Sequence, residues 1–173
     1  EQEAICYLLA EKAREGKKVI RLKNGDTAIF SRISQELDTL VKNRIEFEIV
    51  PGVTAASTAS ALSGIPLTDR RYASSCVFVT GHEDPKKKES ILDWSSLSKS
   101  GTIVLYMAVA NLKRIVKALI ENGKDKDTPV AVIGNAGLLS QKVIRGTLKS
   151  ITGRAKAKKI RPPAIIIIGQ TVD

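Results

Sequence analysis

The sequence has 173 residues, 43% hydrophobic and 27% charged, which suits one medium domain or two small ones and excludes a disordered chain. Lys and Arg outnumber Asp and Glu by 28 to 18, a formal net charge of +10 that favours an anionic partner: nucleic acid, a membrane surface or a polycarboxylate. Aromatic residues at 4% leave few stacking platforms for single-stranded nucleic acid. The longest apolar run, Ala164 to Ile168, is too short to span a bilayer and reads as a buried strand. The start at Glu1, Gln2 and Glu3 lacks the basic opening and apolar stretch of a secretory signal, so a cytoplasmic protein is expected. Cys6 and Cys76 have no metal or redox spacing, and a single histidine, His82, leaves no multi-ligand zinc site, so no metal is expected.

In chain order, residues 2–15 place apolar side chains at helical spacing, with Gly16 as a stop. Lys18 to Leu22 (KVIRL) reads as a strand running into the turn Lys23-Asn24-Gly25-Asp26. Ile33 to Lys42 can form a helix with Ser34 as N-cap. Phe47 to Val50 (FEIV) is a second expected strand, followed by Pro51-Gly52 and a helix from near Thr54 through the small residues to Ser63-Gly64. This β-α-β-α alternation predicts a parallel sheet, although two strands alone would be poorly covered.

The second half is expected to hold strands at Cys76–Thr80, Thr102–Tyr106, Val130–Ile133, Val143–Leu148 and Ala164–Gly169. An amphipathic helix, Asn111–Asn122, ends at Gly123. A charged loop at 83–89 carries Pro85 and the run Lys86-Lys87-Lys88, and the basic stretch Gly153–Arg161 reads as a loop or frayed helix. A boundary near 66–72 then divides residues 1–68, the C-terminal part of an N-terminal α/β domain, from a complete α/β domain at 69–173. The first domain opens on a helix with no strand before it, so a preceding segment is expected.

In open α/β sheets ligands bind beyond the carboxyl ends of strands. Two loops qualify. Gly25 in Lys23-Asn24-Gly25-Asp26 lets backbone approach a ligand, and Asp26 could accept from an ammonium or hydroxyl or could cap the next turn. In Pro51-Gly52-Val53-Thr54-Ala55, Thr54 is placed to cap a helix whose free N–H groups would face the crevice. Each alone is an ordinary turn.

Together, VIRLKNGDTAIFSR, FEIVPGVTAA, SGIPLTDR, VFVTGHE, IVLYM, TPVAVI and PPAIIIIG follow one another in an order that resembles the tetrapyrrole methylases, and among them the uroporphyrinogen-III C-methyltransferases. The resemblance implies the tetrapyrrole methylase fold: two α/β domains, a homodimer, and S-adenosyl-L-methionine held between the domains. It implies two C-methylations of uroporphyrinogen III, through precorrin-1 to precorrin-2, for sirohaem or cobalamin. By the same resemblance the donor contacts fall on Asn24, Gly25, Asp26, Ile29, Thr54, Ala55, Met107 and Ala136, and the carboxylate-binding arginines on Arg32 and Arg70. Guanidinium forks suit a substrate with eight carboxylates. The lone His82 reads as structural.

The family's Gly-Pro-Gly-Asp loop and the proton-transfer residues beyond it would precede Glu1, so no catalytic residue is assigned and the chain alone is expected to be inactive. Other departures are Asn24 for a glycine, Thr27-Ala28 for Pro-Phe, Ile33 and Ser34 for two glycines, Gln35 for a carboxylate, Ala108 for a glycine, and Ala136-Gly137-Leu138-Leu139 for a G-T-x-P loop. They leave open another precorrin methylase or a weakly active, divergent paralogue. From other classes, an RNA-binding or RNA-modifying module is disfavoured, and a non-catalytic dimerisation domain is the remaining alternative.

Overall fold

A computed structural model describes residues 2–82 and 92–173, and Glu1 and the Lys86-Lys87-Lys88 run fall outside the described residues. The chain divides into two compact units, Glu1–Thr54 and Ala55–Asp173.

The first unit is built on two helices, α1 (Gln2–Arg14) and α2 (Ile33–Lys42). Helical spacing places Cys6 and Ala10 of α1 on one face, and both are buried. The Cys6 thiol donates to the Gln35 carbonyl of α2 at 3.5 Å. The end of α1 is a Schellman closure, with Lys17 N–H bonded to Lys12 O and Gly16 N–H to Ala13 O. The same pair of bonds ends the helix Ala55–Ser63 at Gly64 and the helix Leu112–Glu121 at Gly123. The three stop glycines read from the sequence are therefore real stops.

Two expectations for this unit need correction. Residues 18–22 and 47–50 form no strand ladder. A period-two apolar pattern becomes a strand only where a neighbouring edge takes its N–H and C=O groups, and no described segment offers one. Ile20, Leu22, Phe47, Ile49 and Val50 consequently lie exposed. Ser34 is also not the cap of α2. Arg32 holds that position in left-handed conformation (φ 58°, ψ 25°), without a side-chain cap, and Ser34 lies inside the helix.

The second unit contains α3 (Ala55–Ser63), β1 (Cys76–Thr80), α4 (Trp94–Ser98), β2 (Thr102–Tyr106), α5 (Leu112–Glu121), β3 (Pro129–Gly134), β4 (Lys142–Thr147), α6 (Leu148–Ala157) and β5 (Ala164–Ile168). The five strands form one mixed sheet in the order β1-β2-β5-β3-β4, parallel between β1 and β2 and antiparallel elsewhere. All five were legible in the sequence to within a residue or two. The continuous isoleucines of β5 fit its central place between β2 and β3, where both faces must be apolar.

Ile166 and Ile168 join Leu105, Ile115, Leu119, Leu148 and Ile151 in one core that includes residues of α5 and α6. Ile165 and Ile167 alternate to the other face and are also buried. Helix α3 packs against β5, and its fully buried Ala56 and Ala59 allow that close approach. The small-residue stretch is thus the packing face of a helix.

The basic stretch after Gly153 is more ordered than its composition suggests. It continues α6, whose start carries a capping box between Thr147 and Ser150. Leu148, Ile151 and Ala155 form a buried stripe beneath the cations. The charge count concealed that stripe.

Candidate functional site

Six of the residues assigned by resemblance lie in the first unit (Asn24, Gly25, Asp26, Ile29, Arg32, Thr54) and four in the second (Ala55, Arg70, Met107, Ala136).

In the first unit the two glycine-bearing loops meet. A Cβ on Gly52 would stand 2.2 Å from the Gly25 carbonyl oxygen, so the backbones touch where a side chain would have to be. Asp26 fastens the contact: its Oδ2 accepts from Gly52 N–H at 3.2 Å, and its Oδ1 accepts from Ala28 N–H at 2.8 Å. Both carboxylate oxygens are therefore engaged in organising the loop, and each keeps a second lone pair for a further donor. Asn24 and Gly25 remain exposed, and Ile29 is half-buried.

Sequence reasoning missed what holds this loop. Lys23 Nζ donates to the Ser31 carbonyl at 2.6 Å and pairs with Glu36 at 2.8 Å. Glu36 is 3% exposed and also receives Arg21 and Gln2, each at 3.1 Å. Burial pushes the Glu36 carboxyl up, but the bonds from Lys23, Arg21 and Gln2 together outweigh it and hold it below the usual carboxylate range. The only sequence signal was charge at 21, 23 and 36, with nothing to pair them. Arg32 follows directly, exposed, with no hydrogen bond or ion pair among the described residues.

In the second unit the chain leaves β2 through Met107, which takes left-handed backbone (φ 53°) and is 54% exposed. A non-glycine residue in that region is strained and persists only where its surroundings dictate it. Here they do. Gly81 N–H donates to Tyr106 O at 2.7 Å, and Asn111 Nδ2 donates to Gly81 O at 2.7 Å. Ala108 is fully buried, with its side chain against Gly81. The departure from glycine at 108 is thus taken up in packing.

The start of α3 lies beside the same strand end: Ala56 N–H donates to the Tyr106 hydroxyl at 3.2 Å, while Ala55 is exposed. The loop after β3, which carries Ala136, leans on α3 as well. Gln141 accepts from Gly137 N–H at 2.9 Å and donates to Leu62 O at 3.1 Å. Ala55, Met107 and Ala136 are brought to one end of the second unit.

Arg70 sits on a turn closed by the Asp69 and Ala73 backbones. Its neighbour Arg71 is neutralised by Asp69 (3.0 Å) and stacks over Tyr72, leaving Arg70 exposed with no ion pair among the described residues. Side-chain and backbone bonds from Arg71 hold the Asp69 carboxyl at about 2. A depressed carboxyl stabilises the fold above its free value near ~4 and loses that contribution as pH falls through the folded value. After correction for the intrinsic exchange rate, protection of the Ala73 amide should be full at pH 5 and fall as pH drops from about 4 towards 2. Protection unchanged across that window would contradict the assignment. His82 is exposed, and among the described residues its hydrogen bonds are backbone ones with Thr80.

Against known proteins, the sequence model of a family described as Tetrapyrrole (Corrin/Porphyrin) Methylases matches residues 1–152. The chain belongs to the tetrapyrrole methylase family. It is 47% identical over 172 residues to an S-adenosyl-L-methionine-dependent uroporphyrinogen III methyltransferase of Methanosarcina barkeri, covering 99% of this chain and 68% of that protein. A siroheme synthase of Methylobacillus flagellatus is 42% identical over 99% of this chain, which spans 36% of that longer protein. Among solved structures, uroporphyrin-III C-methyltransferase from Thermus thermophilus, complexed with S-adenyl homocysteine, superposes with a TM-score of 0.83 at 31% identity. That match covers 99% of this chain and 74% of the other.

Proposed function

We propose that the protein transfers methyl groups from S-adenosyl-L-methionine to two pyrrole carbons of uroporphyrinogen III, through precorrin-1 to precorrin-2, on the route to sirohaem and cobalamin. The observation that carries this reading is 47% identity over essentially the whole chain to an enzyme named for that chemistry. The geometry within each unit fits it. Asn24, Gly25, Ala55 and Met107 present exposed surface at loops of otherwise fixed backbone, as a donor site of backbone contacts requires. Ile29, Thr54 and Ala136 complete the donor set, and Asp26 serves it by holding the loop.

The donor supplies an electrophilic methyl on a good leaving group, so the protein's task is alignment. Arg32 and Arg70 are assigned to the substrate carboxylates because both guanidinium groups are exposed and unpaired among the described residues. A homodimer in the cytoplasm is part of the proposal. Among the described residues no helix is long and apolar enough to cross a membrane, and no cluster could hold a metal ion.

Arg32→Ala in the intact protein is expected to raise KM for uroporphyrinogen III at least about tenfold while the donor KM changes less than about twofold. Equal effects on both ligands would remove Arg32 from the clamp. Saturable uroporphyrin binding with weak salt dependence is expected, whereas steeply salt-sensitive RNA binding would favour the nucleic-acid reading.

A further inference from the structure

The buried ammonium of Lys23 lies at the neck of the loop that holds Asn24, Gly25 and Asp26. Its side chain is 7% exposed. One bond reaches the Ser31 carbonyl, eight residues on, so the ammonium closes the ends of the 24–30 segment on each other. Another reaches Glu36 in the first turn of α2 and fixes the closed loop to the helix. Within the loop, Ser31 Oγ donates to Thr27 O, and Gly25, Phe30 and Arg32 all hold positive φ. Left-handed residues at 30 and 32 need an external tie, because neither is glycine. Lys23 supplies that tie between them, at Ser31.

The geometry points to Lys23 as a positioning residue that sets the donor loop and the Arg32 clamp together, with Glu36 as its anchor. It touches neither ligand: it fixes Asn24 and Gly25 at one end of the loop and Arg32 at the other. This rests on the assignment of those residues to donor and substrate. Burial makes the latch specific. A surface ion pair would contribute little, while a desolvated ammonium bonded to a carbonyl and a carboxylate has one geometry.

Lys23→Met keeps an apolar stem and leaves Glu36 its bonds from Arg21 and Gln2, so the carboxylate is not orphaned. In the intact protein K23M should raise KM for both S-adenosyl-L-methionine and uroporphyrinogen III at least about tenfold, with kcat at saturation within about threefold of wild type. K23R, which restores a buried cation, should recover most of both KM values. Amide exchange over residues 24–32 should accelerate in K23M and not in K23R. KM values within about twofold of wild type, or a fall in kcat alone, would overturn the inference. K23R no better than K23M would do the same. Should K23M fail to fold, E36Q carries the test by the same readouts, with a KM increase of about threefold expected and wild-type values contradicting it. Failure of wild-type protein to bind S-adenosylhomocysteine would instead remove the donor-loop assignment itself.

Discussion

Gly52→Ala is expected to weaken S-adenosylhomocysteine binding by at least about tenfold while leaving the five-stranded sheet folded. The added Cβ would stand 2.2 Å from the Gly25 carbonyl oxygen and 3.1 Å from its carbonyl carbon. Both are backbone atoms, so no side chain can rotate away and one loop must move. Movement of either breaks the Gly52 N–H bond to Asp26 and shifts Asn24 to Asp26, the segment assigned to the donor. Overpacking of this kind costs about 1–3 kcal/mol, and a tenfold affinity loss corresponds to about 1.4 kcal/mol. Titration calorimetry with S-adenosylhomocysteine checks the first part and thermal unfolding the second. Wild-type affinity in Gly52→Ala would mean that the two loops can separate without cost to the donor.

Gly81→Ala should have the larger effect on stability. There the new Cβ would lie 2.4 Å from Ala108 Cβ, 2.5 Å from Ala108 Cα and 3.0 Å from Ile115 Cδ1. Ala108 and Ile115 are buried, and Ile115 belongs to the main core. The clash has no route to solvent, so a loss of at least about 1–3 kcal/mol is expected by denaturant unfolding. Any relaxation that moves Ala108 also moves Met107, whose left-handed backbone depends on this packing. The variant should therefore lose donor affinity as well as stability. Unchanged unfolding would show that the β1 and β2 ends are looser than their packing indicates.

The second unit was legible because its signals are local. Five apolar or alternating runs became five strands, and stop glycines ended helices where their left-handed bonds were needed. What failed was whatever depends on a neighbour. KVIRL and FEIV have strand composition but no described edge to pair with. The stripe of Leu148, Ile151 and Ala155 was hidden among lysines, so α6 was read as loose. The Lys23–Glu36 pair joins positions thirteen residues apart on either side of a turn, and no spacing rule connects them. In the proposed site, resemblance named the residues while the fold gives several of them a role of their own. Asp26 braces two loops, Ala108 packs under Gly81, and Asp69 takes Arg71, so that Arg70 has no ion pair among the described residues.

The central claim is tested most directly by methyl transfer in the intact protein. Incubation with methyl-labelled S-adenosyl-L-methionine and uroporphyrinogen III should place two labelled methyl groups on each macrocycle and yield a product with the mass of precorrin-2. A protein that binds both compounds yet transfers no label, or that labels a different tetrapyrrole in preference, would contradict the account.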